Sequence, residues 1–147
     1  HIQICGDVAV GDLSRQLQAL QKKLEGKGRI SLHAGQLSLD AYQELLSRAD
    51  LFVMPSRLEG SSPAVLEALW TGVPAFLSEA CGIDQFSSGR HGQLLDPNTA
   101  ECLAKALMAV LLNPGQLVSW RKALQNDRSL FTWSNYLRIL PEIIARQ

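Results

Sequence analysis

Leu51-Phe52-Val53-Met54-Pro55-Ser56-Arg57-Leu58-Glu59-Gly60-Ser61-Ser62-Pro63-Ala64-Val65-Leu66-Glu67-Ala68 is the stretch from which fold and chemistry are read. Residues 51–54 are short, apolar and partly β-branched, the pattern of a strand buried on both faces. Ser62 suits a helix N-cap, and Pro63 suits the first helical position, where its missing N–H removes nothing the helix uses. The segment is therefore strand, polar turn, helix. Free amides around Gly60, Ser61 and Ser62, with the positive end of the helix dipole, form a natural anion site. Glu67 follows about 7.5 Å along the helix axis at the standard rise, its side chain leaning back toward the N-terminus. Two carboxylates, Glu59 and Glu67, thus flank a place suited to a ligand bearing both hydroxyls and phosphates, as a nucleotide-sugar does.

Working outward, further strands are expected at 2–5, 30–34, 74–77 and 93–95, with helices between them. Leu13, Leu17, Leu20 and Leu24 form one helical stripe, ended by Gly26. Ser38 caps a helix with Leu39, Tyr42, Leu45 and Leu46 on its apolar face. Gly72 stops the helix that starts at Pro63. Asn98 with Glu101 has the spacing of a capping box for the helix carrying Leu103, Ala106, Leu107, Val110 and Leu111. Asn113-Pro114-Gly115 breaks that helix, and two more are expected near 116–125 and 133–145, the last bent at Pro141. Alternating strands and helices give an α/β fold, a Rossmann-like doubly wound parallel sheet covered on both faces. Such sheets bind ligands beyond the carboxyl ends of their strands. Residues 5–7, Gly35, 55–62 and 78–82 all fall there.

The chain has 147 residues, 46% of them hydrophobic and 19% charged, with 14 basic and 14 acidic residues. This describes one globular domain able to bury roughly 68–70% of its unfolded surface. A formal charge of zero argues against nucleic acid as the main partner, because phosphate-backbone binding needs surplus Lys and Arg. Cys5, Cys81 and Cys102 are odd in number and widely spaced, which points to a reducing compartment. No His/Cys/Asp cluster has metal-ligand spacing, so no metal is expected. No apolar run reaches the ~20 residues needed to span a bilayer, and no signal peptide is read. The chain enters a strand directly after His1 and is read as a piece of a longer protein.

Ala49-Asp50-Leu51-Phe52-Val53-Met54-Pro55-Ser56, Glu59-Gly60, Glu67-Ala68 and Gly72-Val73-Pro74 resemble the donor-binding half of retaining family 4 glycosyltransferases of the GT-B fold. Ile2-Gln3-Ile4-Cys5-Gly6-Asp7, the strand from Arg29-Ile30 to Gly35, and His91-Gly92-Gln93-Leu94-Leu95-Asp96-Pro97 extend the resemblance over nearly the whole chain. Two departures stand out. Cys81-Gly82-Ile83-Asp84-Gln85 replaces the family's Gly-Gly-x-Pro-Glu, so that Gln85 takes the acidic position. The family's diphosphate-binding Arg and Lys lie on a strand and helix preceding the segment that matches Ile2.

The resemblance implies that residues 1–147 are the nucleotide-sugar-binding domain, the C-terminal half of a GT-B fold lacking its first strand and helix, with extra C-terminal helices. The whole enzyme would transfer a sugar from a UDP- or GDP-sugar to an acceptor hydroxyl with retention, in polysaccharide or glycoconjugate synthesis. It would use no metal or other cofactor, and an N-terminal acceptor-binding domain would be its partner in the same chain. A cytoplasmic location is implied, with peripheral attachment to the inner face of a membrane through that other domain left open.

Glu59 is the expected catalytic residue, set against the donor sugar's hydroxyls, where it favours positive charge developing on the ring. Glu67 is expected to accept the ribose hydroxyls. Gly60, Ser61 and Ser62 face the distal phosphate or the sugar, and Gly35 borders the base with Gly6 and Gln36. Each has a plainer reading: Glu67 as a solvated helix carboxylate, Glu59 as a loop acceptor, the glycines as turns. Arg57 is either a phosphate cation or an exposed arginine. His33 reads as a core or edge histidine, His91 as a turn residue, and Trp120, Trp133 and Tyr136 as packing. A GT-B nucleotide-sugar isomerase or a non-catalytic nucleotide-sugar-binding module is the alternative. A flavodoxin-like regulatory domain would want acids after the first strand, for which only Asp7 and Asp12 stand.

Overall fold

A computed structural model describes residues 1–6, 12–24, 30–34, 37–59, 62–135 and 137–138. The chain divides into two compact units, His1–Leu45 and Leu46–Gln147. In the first, β1 (Ile2–Gly6) and β2 (Ile30–Ala34) pair in parallel with Ile2 opposite Ile30, and α1 (Asp12–Leu24) lies between them in sequence. On the expected leucine stripe of α1, Leu17 is half-buried and Leu20 is exposed. Helix α2 (Leu39–Ser47) runs across the boundary between the units. The Ser38 hydroxyl accepts the Ala41 amide at 3.3 Å, which is the expected cap. Leu46 is buried, but Leu39 lies outside the apolar face assigned to it and is exposed.

The second unit holds the sheet β3 (Phe52–Met54), β4 (Ala75–Leu77), β5 (Gly92–Leu94), all parallel and in that order. Helix α3 (Pro63–Thr71) joins β3 to β4, and a short 3-10 turn (Glu79–Cys81) follows β4. Helices α4 (Ala100–Leu112) and α5 (Gly115–Asp127) and a 3-10 turn (Arg128–Phe131) complete the unit.

Strand period two explains how these short strands feed two cores. Ala75 and Leu77 face one core with Val65, Leu66 and Leu69 of α3, Leu124 and Phe131, and Phe52 and Met54 pack against it. Phe76 faces the other core with Leu95, Ala106 and Val110 of α4 and Trp120, joined by Leu51 and Val53. Both faces of the sheet are covered, which is why these strands read as continuous apolar runs instead of alternating ones. Helix α5 serves both cores, through Trp120 and Leu124. Trp120 meets Phe76 edge-on at 6.0 Å between ring centroids, and its indole N–H donates to the Gly89 carbonyl.

Several local expectations need correction. Asn98 does not cap α4: Thr99 is the N-cap, its hydroxyl accepting the Cys102 amide at 3.2 Å. Ser62 holds the N-cap position of α3 with extended backbone, but its hydroxyl makes no capping bond. Its carbonyl instead accepts the Val65 and Leu66 amides. His91 does close a turn, its amide donating to the Ser87 carbonyl at 2.9 Å, but its ring is 2% exposed, between the rings of Phe86 and Phe131. Trp120 packs as expected, whereas Trp133 is exposed. Gly72 does terminate α3, in the left-handed conformation with φ of 88°. Residues 133–135 and 137–138 are helical; Gly26, Tyr136 and Pro141 lie outside the described residues.

Candidate functional site

The carboxyl ends of β3, β4 and β5 deliver Pro55-Ser56, Ser78 and residues 95–98 to one side of the second unit. Three polar side chains tie these ends together. The Ser78 hydroxyl donates to the Ser56 carbonyl. The Asn98 amide donates to the Pro55 and Ser56 carbonyls at 3.1 and 3.3 Å. The Cys81 thiol, 1% exposed, donates to the Met54 carbonyl at 3.3 Å. The Pro55 and Ser56 carbonyls just past β3 are thereby satisfied, the Met54 carbonyl gains a second donor beside the Ser78 amide, and the turn into the next segment is fixed.

That turn orients Glu59. The Ser56 hydroxyl donates to Glu59 Oε1 at 3.0 Å, holding a half-buried carboxylate whose second oxygen makes no bond among the described residues. Ser56 also lines an open cleft of about 450 Å³, with Arg57, Ser78, Glu79, Asp96 and Asn98 among others; Glu59 is not among its described lining residues. A smaller cleft of about 160 Å³, bordered by Ser78, Glu79, Cys81, Gly82 and Asp84, adjoins it through their shared walls. The lining mixes one cation, Arg57, with the acids Glu79 and Asp96, so its own charge does not suit a phosphate group.

Helix α3 supplies the other half. Ser62 is buried at its start, and Glu67 is exposed two residues after the buried Val65. Val65, Leu66, Ala68 and Leu69 turn inward, which leaves Glu67 on the outer side of the helix. Pro63 has no N–H, so Ala64 carries the remaining first-turn donor without an intrahelical acceptor. Gly35, Gly60 and Ser61 lie outside the described residues.

Gln85 is half-buried, and its Nε2 is shielded from solvent without a hydrogen-bond partner among the described residues. No group of three or more His, Cys, Asp or Glu able to hold a metal occurs among the described residues. Sequence reasoning placed 78–82 at the ligand-binding end of the sheet without giving Ser78 a role, and missed Asn98 as a member of the site. The signal for Asn98 was present, but its preference for helix caps pointed it at α4 instead of β3.

The chain is similar to several known proteins. It is 34% identical over 84 residues to a putative teichuronic acid biosynthesis glycosyltransferase, TuaC, of Bacillus subtilis, a match that covers 57% of this chain and 21% of that protein. It is 25% identical over 127 residues to the lipopolysaccharide glucosyltransferase WaaG of Escherichia coli, covering 86% of this chain and 30% of that one. Among solved structures, WaaG superposes with a TM-score of 0.71 at 25% identity, covering 97% of this chain and 36% of the other. The Anabaena protein HepE, solved in complex with UDP and glucose, gives a TM-score of 0.74 at 17% identity, covering 99% and 40%. The chain thus spans less than half the length of these relatives. Residues 1–127 match the family described as glycosyl transferases group 1, and the chain belongs to that family.

Proposed function

We propose that this chain is the donor-binding part of a retaining glycosyltransferase that takes a UDP- or GDP-sugar and transfers its sugar to an acceptor hydroxyl. The observation that carries this reading is the anchored Glu59 carboxylate in the loop after β3, one oxygen held by Ser56, which itself lines the open cleft at the strand ends. An acid oriented before any ligand arrives pays little reorganisation when a sugar hydroxyl or a developing oxocarbenium charge meets its free oxygen. Glu67, exposed near the start of α3, accepts the ribose hydroxyls. The amides of Gly60, Ser61, Ser62 and Ala64 receive the distal phosphate, and Gly35 borders the base. No metal takes part. The diphosphate carries about two negative charges, which two nearby carboxylates oppose and the helix dipole offsets by only about half a charge. The missing cations come from the strand and helix that precede the segment matching Ile2, and the acceptor site from an N-terminal domain of the same longer chain. Polysaccharide or glycoconjugate assembly is the fitting role, in line with the names of the TuaC and WaaG relatives.

The test is a donor screen on the longer protein, with UDP-glucose as the first probe and GDP-mannose as the second. Glu67→Ala is expected to weaken donor binding about tenfold to a hundredfold, the value of lost hydrogen bonds to a charged acceptor. Glu59→Gln is expected to lower kcat about a hundredfold while donor affinity changes little. Product of the same anomeric configuration as the donor supports retention. Unchanged donor affinity in Glu67→Ala would remove the ribose role, and inverted product would remove the retaining mechanism.

A further inference from the structure

Residues 102–126 contain three cations, Lys105, Arg121 and Lys122, and no acid. They form the end of α4, the turn at Asn113-Pro114 and most of α5, and the two helices meet at 95°. Their inner faces are spent on the core, through Ala106, Val110, Trp120 and Leu124. Their outer faces carry large apolar side chains around the turn. Met108 is 55% exposed, Leu111 74%, Leu112 80% and Val118 68%, all grouped at the corner. Met108, Leu111 and Leu112 share one stripe of α4 by their spacing. Isolated exposed leucines are ordinary; four large apolar side chains gathered on one convex corner are not.

The charges are placed to match. Lys105 lies on the same stripe as Met108 and Leu112, about 10 Å back from the tip of α4 at the standard rise. Lys122 lies about the same distance along α5 from Gly115. Both are exposed, and neither forms an ion pair among the described residues. Arg121 is engaged with the Ala49 carbonyl and Asp50. Glu101, the nearest acid on that stripe of α4, stands one further turn away from the tip. An apolar apex with lysines set back about 10 Å is the profile of a wedge that enters the boundary between lipid headgroups and acyl chains, where apolar faces sink roughly 5–10 Å and lysines reach anionic headgroups.

We propose that the α4–α5 corner docks on an anionic lipid surface. The docking is independent of what the cleft at the strand ends binds. It is not a membrane crossing: among the described residues no single helix is long and apolar enough to span a bilayer, and the inner faces of this pair are occupied by the core.

The experiment is flotation of the full chain with vesicles of phosphatidylcholine and phosphatidylglycerol, 3:1 by design, against phosphatidylcholine alone. The protein is expected to partition onto the anionic vesicles at least tenfold more strongly than onto the neutral ones, and less as NaCl is raised. Leu111→Ser with Leu112→Ser, and separately Lys105→Glu with Lys122→Glu, should each lower partitioning at least tenfold with an unchanged melting temperature. No partitioning by the unaltered chain overturns the proposal, as does equal partitioning by the variants. A dimer in sedimentation velocity that Leu111→Ser/Leu112→Ser dissolves, with no vesicle binding, overturns it also and assigns the corner to a second copy.

Discussion

Gly92 is where β5 lies against the bare backbone of β4. Its φ is 145°, and a Cβ placed there would stand 1.9 Å from the Ala75 carbonyl oxygen and 2.8 Å from the Ala75 carbon. Those are backbone atoms of the neighbouring strand, so no side-chain rotation relieves the clash. Gly92→Ala is therefore expected to destabilise the protein by about 3 kcal/mol or more, from strain and forced separation of β4 and β5 together. Urea denaturation followed by circular dichroism measures it. The sequence offered this glycine only as the start of a motif resemblance, because a positive φ depends on how the next strand approaches. Asn98 teaches the same lesson from the other side. Its spacing to Glu101 obeyed a local rule, yet Thr99 one residue later captured the cap and freed Asn98 to reach residues more than forty positions away. The bond from Ser56 to Glu59 is local, three residues apart, yet the sequence reading did not pair them.

At the scale of elements, strand β5 and helix α5 are fastened by one polar cluster. Ser87 donates its amide to Nδ1 of the buried His91 at 3.0 Å, which puts the ring hydrogen on Nε2, 2.8 Å from Asp127 Oδ2. Arg90 adds a two-pronged contact to the same carboxylate, at 2.6 and 3.1 Å. These bonds, that from Arg90 first and that from His91 next, hold the Asp127 carboxyl well below the usual carboxylate range. A carboxyl depressed on folding stabilises the fold above its unfolded pKa of about 3.9 and loses that contribution as pH falls further. Asp127→Ala leaves the His91 ring donor buried without a partner and is expected to cost about 1–3 kcal/mol at neutral pH. The gap between the variant and the unaltered chain should narrow below about pH 4, as thermal melts across pH would read out. A gap independent of pH would show that the carboxylate charge contributes nothing. The turn at His91 was legible in sequence but its burial was not, because Phe131 and Asp127, which enclose the ring, are distant along the chain.

For the molecule as a whole, strand and helix order was legible from hydrophobic period and punctuation, and element ends shifted by only a residue or two. Residues 74–77 and 93–95, for instance, became Ala75–Leu77 and Gly92–Leu94. The doubly covered sheet followed from runs such as residues 51–54, whose alternate members face opposite cores. Binding strength was less legible, since it depends on the balance of charge around the cleft. Arg57 is the one cation in the cleft lining, set against Glu79 and Asp96. The chain alone is accordingly expected to bind UDP-glucose with a Kd weaker than about 1 mM, corresponding to less than about 4 kcal/mol, and to transfer no sugar. Isothermal titration and a transfer assay check both; submillimolar binding with turnover by this chain alone would place the needed cations within it.

The knot formed by Ser78 and Asn98 on the Ser56 carbonyl carries an evolutionary corollary. Neither side chain belongs to the motif that surrounds Glu59, yet each grips the peptide unit from which that acid is aimed. Drift at the tips of the neighbouring strands would re-aim the acid while every motif residue stays the same, so under the role proposed for Glu59 donor preference would diverge through positions that a comparison of motifs would pass over.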